Sequence, residues 1–304
     1  GKITSFALPS YAGGVYGVNY NKFPYLANSN SKHTNMCYCP LDHRIYVTGG
    51  DTGGSSAQDG TWSMSLDDGS WRLDFGKPVY PSLPAPSAYQ DNEGFDWMPS
   101  RSKFIFFPGS GTFGYGGNVF QYGEGLWYFD PVTKIWEQDL RLFTGVAWTT
   151  AAQIDFALTM NNTTGCIHGG IYDAQTDTIY APISRNVMRR YSVASGTRLA
   201  DAPFTGWNNV SPYPGYAGIY WNETKAVQVG RYIFMPGAAY NGINSKWILG
   251  KWNIDTNGFA FCAAPPIPES PGTAQHKEAR IGVSHNTIVW PKVAGADGVI
   301  SGIY

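Results

Sequence analysis

The chain is short of charge. Lys, Arg, Asp and Glu make up only 14% of its 304 residues, and the formal net charge is −1. No basic stripe or charge run is present, which argues against nucleic acid as a partner. No apolar run approaches the roughly 20 residues that a membrane-spanning helix needs, so membrane insertion is not expected. No signal peptide is recognisable at the start of the sequence. The five histidines, His33, His43, His168, His276 and His285, are never adjacent. Helical patterning is nearly missing: 147–160 is the one stretch to consider, and Thr149, Thr150 and Ile154 weaken it. No Ser-His-Asp order can be assigned. The Gly-rich segment 109–117 joins two strands instead of opening a helix, which excludes a P-loop.

Cysteine is equally sparse, with Cys37, Cys39, Cys166 and Cys262. Cys37 and Cys39 fall on one strand, on the same face, too close for an easy bridge to each other. A Cys-x-Cys without a second close pair is a weak zinc signal, even with His33 and Cys166 added. The simpler expectation is free thiols behaving as small apolar residues, with no metal and no cofactor. Matches to the glycosylation acceptor pattern within 161–164, 209–211 and 222–224 arise easily by chance in a chain of this composition.

What the chain has in quantity is aromatic rings, at 15%, and 37 glycines. These suit ring packing between sheets and tight turns. One aromatic hairpin phrase recurs. Leu126-Trp127-Tyr128-Phe129-Asp130 leads through a turn to Ile135-Trp136, and about twenty residues earlier stands the strand Lys103–Phe107. The pair returns as Arg44–Thr48 with Trp62 and Trp71, and as Arg231–Met235 with Trp247 and Phe259. The small or Pro residues ending the second strands are Thr48, Pro108, Pro182, Pro236 and Pro291, spaced by 60, 74, 54 and 55 residues. A sheet unit repeated at this interval marks a β-propeller.

The expected fold is therefore all-β, a single domain over 1–304: a five-bladed β-propeller of four-stranded antiparallel blades. The blades fall at about 34–80, 90–141, 165–204, 216–264, and 277–304 plus 1–10. In this reading the N-terminal strand closes the C-terminal blade and removes exposed sheet edges. The pattern resembles kelch-type repeats: an apolar strand ending in Gly-Gly (Ile45–Gly50), a spacer, an aromatic strand, an Asp-x-x-Thr turn (Asp130 to Thr133) and a Trp. The resemblance covers most of the chain and implies a fold that hosts both binding proteins and enzymes. Some kelch-like propellers are copper radical oxidases similar to galactose oxidase, but the histidine supply here does not fit them.

Antiparallel order puts the connections from second to third strand, and from blade to blade, at one end of the molecule. The long segments all fall there: 51–60, 110–125, 238–245, 81–93, 142–164, 205–216 and 263–277. Long loops on a rigid scaffold usually carry function. Their aromatics, amides and one acid give the expected ligand-binding set, Asp51, Phe113, Tyr115, Trp148, Trp207, Tyr213 and Tyr240, suited to a sugar face or a protein surface. The chain is expected to be non-catalytic, a binding propeller on an extracellular or virion surface. It would recognise a glycan or protein partner and could belong to a viral fibre or tail, or to a larger homo- or hetero-oligomeric assembly as a structural subunit. The alternative is a glycan-active enzyme like the five-bladed furanoside-cleaving glycosidases. These need paired carboxylates, for which Asp51, Asp91, Glu93, Asp96, Asp173 and Glu278 are the candidates.

Overall fold

The computed structural model describes residues 35–48, 61–75, 94–107, 126–139, 170–184, 186–208, 210–221, 226–262, 270–271, 282–284 and 287–289. The chain divides into two compact units, Gly1–Ala157 and Leu158–Tyr304.

The first unit holds two four-stranded antiparallel blades. One runs β1 (Asn35–Cys39), β2 (Arg44–Thr48), β3 (Thr61–Ser65) and β4 (Trp71–Phe75), in spatial order. The next runs β5 (Gly94–Met98), β6 (Lys103–Phe107), β7 (Trp127–Asp130) and β8 (Ile135–Gln138). The inner strands β1 and β5 lie side by side. Between the blades the alternate residues of β2, β5, β6, β7 and β8 form one aromatic core of Tyr46, Phe95, Phe104, Phe106, Phe129 and Trp136. Phe95 stacks on Phe104 at 4.7 Å between centroids, and Tyr46 lies 4.8 Å from the same ring. Each ring so buried contributes about 1.5–3 kcal/mol. Trp136 Nε1 donates to Thr61 Oγ1 at 3.1 Å, satisfying a buried indole N–H across the blade boundary.

The second unit opens with a blade of β9 (Ile171–Asp173), β10 (Thr178–Ser184), β11 (Val187–Ser192) and β12 (Thr197–Pro203). The following blade has β13 (Gly218–Trp221) and β14 (Val227–Val229) in line along one edge of β15 (Tyr232–Tyr240). On the other side of β15 lies β16 (Asn244–Asn253), flanked by β17 (Phe259–Cys262) and β18 (Ser270–Pro271). Pro236 sits in the middle of β15, where the register leaves no partner between β13 and β14. A residue without an N–H fits where no ladder bond is needed. A short hairpin, β19 (Gly282–Ser284) with β20 (Thr287–Val289), lies next to β14.

The arrangement is an all-β, propeller-like one of antiparallel four-stranded blades. Among the described residues there are four such blades and not the five expected. Of the fifth, only the β19–β20 hairpin is described; 1–10 and the remainder of 277–304 lie outside the described residues. A correction concerns 238–245, expected as a long connection. The ladder instead continues to the pairs Ala239↔Lys246 and Tyr240↔Ser245. A tight turn closes it, with Asn241 N–H donating to the Asn244 carbonyl at 3.1 Å and Gly242 at φ 97°. Gly at the first central position is what such a two-residue turn requires.

The four turns between third and fourth strands follow one template. Each begins on a short polar residue whose oxygen accepts backbone N–H groups two or three residues on. Ser65 Oγ takes Asp67 and Asp68, Asp130 Oδ1 takes Val132 and Thr133, Ser192 Oγ takes Ser195, and Asn253 Oδ1 takes Asp255 and Thr256. Each then places its fifth residue at positive φ: Gly69 at 73°, Lys134 at 62°, Gly196 at 68° and Asn257 at 58°. The N–H of that fifth residue donates to the carbonyl of the first at 2.9–3.0 Å. At the opposite end the longer connections are 49–60 and 108–126 in the first two blades and 204–217 between the third and fourth, whereas β10–β11 and β15–β16 are joined by two and three residues.

Candidate functional site

At the long-connection end of the fourth blade, residues 204–217 join β12 to β13 and residues 241–243 turn β15 into β16. A 3.2 Å bond from Tyr216 N–H to the Tyr213 carbonyl holds the two tyrosines one turn apart. Their rings meet edge to face at 6.2 Å. Lys246, near the start of β16, lies 5.2 Å from the Tyr213 ring centroid and 4.9 Å from that of Tyr216. A cation over two π faces is attracted by both and fixes their orientation. Tyr216 is buried, whereas Tyr213 and Lys246 keep part of their surface in solvent. Burial raises the Tyr213 phenol above its ordinary pKa, partly offset by Lys246. The exposed amides of Asn208 and Asn241 flank the same end. Chemically this is a partly open ring beside a cation and amide groups, a surface that can stack on a sugar face and hydrogen-bond its hydroxyls.

The expected ligand residues meet different fates. Tyr213 belongs to this cluster. Tyr240 lies one residue from Ala239, the cross-strand partner of Lys246, and so faces the opposite side of the sheet. Its hydroxyl donates to the Gly242 carbonyl and braces the turn. Trp207 is a packing ring: it lies 5.0 Å from Phe259, 5.7 Å from Phe261 and 6.2 Å from Trp221, with Phe204 at 6.4 Å. Asp51, Phe113, Tyr115 and Trp148 lie outside the described residues. Among the described residues no three His, Cys, Asp or Glu side chains gather as metal ligands. Cys39 and Cys262 are free thiols, and burial pushes Cys39 up to about 11.

Of the carboxylates proposed from sequence, Asp51, Asp91, Glu93 and Glu278 are likewise outside the described residues, and Asp96 is half-buried on β5. Asp173 is fully engaged at the short-turn end. Arg231 Nη1 donates to its two oxygens at 3.1 and 2.9 Å, Gln228 Nε2 at 2.6 Å, and Thr176 Oγ1 at 2.7 Å. Burial pushes its pKa up, but the hydrogen bonds of Thr176, Gln228 and Arg231 outweigh that and hold it below the usual carboxylate value. A carboxylate held charged by this many donors is a structural anion and not a proton donor. Arg231 also grips Asp255 at 2.7 Å.

Sequence reading missed a second buried polar cluster, at the short-turn end of the first unit. Tyr46 Oη donates to Asp42 Oδ2 at 2.7 Å and accepts from Lys134 Nζ at 2.7 Å. Asp74 Oδ1 lies 2.7 Å from Arg72 Nε and 3.0 Å from Lys134 Nζ. Burial and the Asp42 carboxylate raise the Tyr46 phenol far above its ordinary value, so it stays protonated. No spacing rule could have revealed this group, because its members come from β2, β4 and two separate turns. Lys246 was missed for another reason: it stands at the start of a segment read only as a strand, and nothing in the spacing ties it to Tyr213 and Tyr216.

No family model matches the chain. No curated protein matches it either. Among solved structures, the chain is similar to a GH43_12 protein retrieved from capybara gut metagenome, with a TM-score of 0.46 at 10% identity. The match covers 92% of this chain and 52% of that protein, so the chain spans about half its length. That neighbour is a glycoside hydrolase family 43 propeller, and the expectation that the present chain is not an enzyme is corrected on this finding. A likeness at this level assigns no activity to the chain.

Proposed function

We propose that the chain acts on carbohydrate at its long-connection end, holding a glycan there and positioning a glycosidic bond for hydrolysis. The observation that carries the proposal is the Tyr213–Tyr216–Lys246 cluster, which presents a partly open ring among polar groups at the end where the connections are long. A sugar ring offers an apolar C–H face to such a side chain, and its hydroxyls suit the neighbouring amides. Hydrolysis needs two carboxylates, one to protonate the leaving oxygen and one to act as base or nucleophile. Asp51, Asp91 and Glu93, which sequence assigns to long connections of the first unit, are the candidates for those roles. A fifth, kelch-like blade and a location outside the cell or on a virion surface belong to the same reading. The β19–β20 hairpin beside β14 supports the fifth blade.

The test is a panel of furanoside- and pyranoside-containing oligosaccharides, scored for binding by calorimetry and for cleavage by released reducing ends. We expect binding that Tyr213→Ala weakens about tenfold or more. We expect cleavage that Asp91→Asn or Glu93→Gln abolishes while binding persists. A folded sample that neither binds nor cleaves any member overturns the proposal.

A further inference from the structure

The turn between β7 and β8 departs from its three counterparts at one residue. Its left-handed fifth position holds Lys134 at φ 62°, where the others hold Gly69, Gly196 and Asn257. Gly adopts that conformation without penalty and Asn tolerates it, but a lysine there is strained. The ammonium supplies a reason. Lys134 belongs to the second blade, yet Nζ reaches three features of the first. It is 3.0 Å from Asp74 Oδ1, 2.7 Å from Tyr46 Oη and 5.1 Å from the Tyr46 ring centroid. The Asp74 side chain has no exposed surface, and its Oδ2 has no hydrogen-bond partner. All of its hydrogen-bond compensation therefore comes through Oδ1, from Lys134 and from Arg72 of its own strand. The second unit repeats the scheme with different residues. Arg231, in the turn from β14 to β15 of the fourth blade, reaches the buried Asp173 of the third.

We infer that in each unit the short-turn end is latched by a cation sent from the downstream blade to a buried carboxylate of the upstream one, and that Lys134 is kept in a glycine conformation because the latch needs its charge. The device is electrostatic, desolvated and confined to one end, so it fixes neighbouring blades while leaving the long-connection end free to vary. Removing the cation leaves the buried carboxylate with only part of its compensation, Arg72 for Asp74 and Gln228 with Thr176 for Asp173.

Thermal unfolding of Lys134→Gly, Lys134→Met, Asp74→Asn and the Asp74→Asn/Lys134→Met double variant tests this, with hydrogen exchange as the local readout. Glycine relieves the backbone at position 134, so local strain alone predicts a higher midpoint for Lys134→Gly. The latch predicts a midpoint lower by about 2–4 °C, with faster exchange in β4 and in the β7–β8 turn and none added in β9–β12. The double variant should lose less than the sum of the singles. A Lys134→Gly protein that melts at or above the parent overturns the inference, as does strict additivity. If Asp74→Asn does not fold, the two Lys134 variants carry the test.

Discussion

At Gly250 a hydrogen stands where any side chain would strike a wall of rings. A Cβ there would lie 2.6 Å from Trp221 Cη2 and 2.9 Å from Phe259 Cε2, and Trp221 is 2% exposed. Neither ring has room to retreat, because Trp207 and Phe261 close the other side of the cluster. Gly250→Ala is expected to cost about 1–3 kcal/mol in denaturant unfolding. A neutral result would mean that the ring cluster is looser than the geometry states. The pH dependence of stability is argued at the same scale. The folded-state pKa of Asp173 is depressed, so its contribution is fully present above the unfolded value near 3.9 and is lost as pH falls through the folded one. Asp173→Asn should lower stability at pH 7 and flatten the acid limb of the profile below about pH 4. An unchanged acid limb would show that Arg231 contributes nothing through this carboxylate. Neither Gly250 nor Asp173 was legible as a contact. Trp207 was legible as a ring but not as a packed one, since its partners stand on β13 and β17, and sequence spacing does not report which rings a fold brings together.

At the scale of the element, much could be read in advance. The strands at Arg44–Thr48, Lys103–Phe107 and Thr178–Pro182, and the antiparallel order within blades, follow from alternation and turn chemistry. Of the outer turns, the one from Asp130 to Thr133 was visible as Asp-x-x-Thr, and Asp130 Oδ1 does accept from Val132 and Thr133 N–H. The 238–245 error was avoidable: Asn241-Gly242 is a strong short hairpin signal, and Ile248 and Leu249 continue the strand beyond it. The third blade was expected from about 165; residues 165–169 lie outside the described residues, and β9 ends at Asp173, whose Oδ2 accepts from Thr176 N–H in the turn that follows. The common turn template gives a prediction of its own. Asp130→Ala removes the acceptor of two backbone N–H groups and should cost about 1–2 kcal/mol by thermal or denaturant unfolding. Asn253→Ala should act similarly in the second unit, and a null effect at both sites would show that the left-handed fifth residue alone sets the turn.

For the molecule as a whole, the two ends of the blades divide the work. The short-turn end concentrates buried ion pairs, left-handed turn residues and interlocked carboxylates, which resist change. In the second unit the long-connection end carries the tyrosine–lysine cluster; Asp51, Phe113, Tyr115 and Trp148 belong by sequence to long connections of the first unit. Loop length alone marked which end to consider as the candidate site; which side chains gather there was not legible, because Lys246 joins Tyr213 and Tyr216 only once β16 is paired. The most direct measurement is hydrogen exchange on the whole chain, with and without a saturating oligosaccharide drawn from the panel. The account predicts protection in 204–217 and 241–246 and none in the outer turns at 66–70, 131–134, 193–196 and 254–258. Protection confined to those outer turns, with the long connections unchanged, would contradict it.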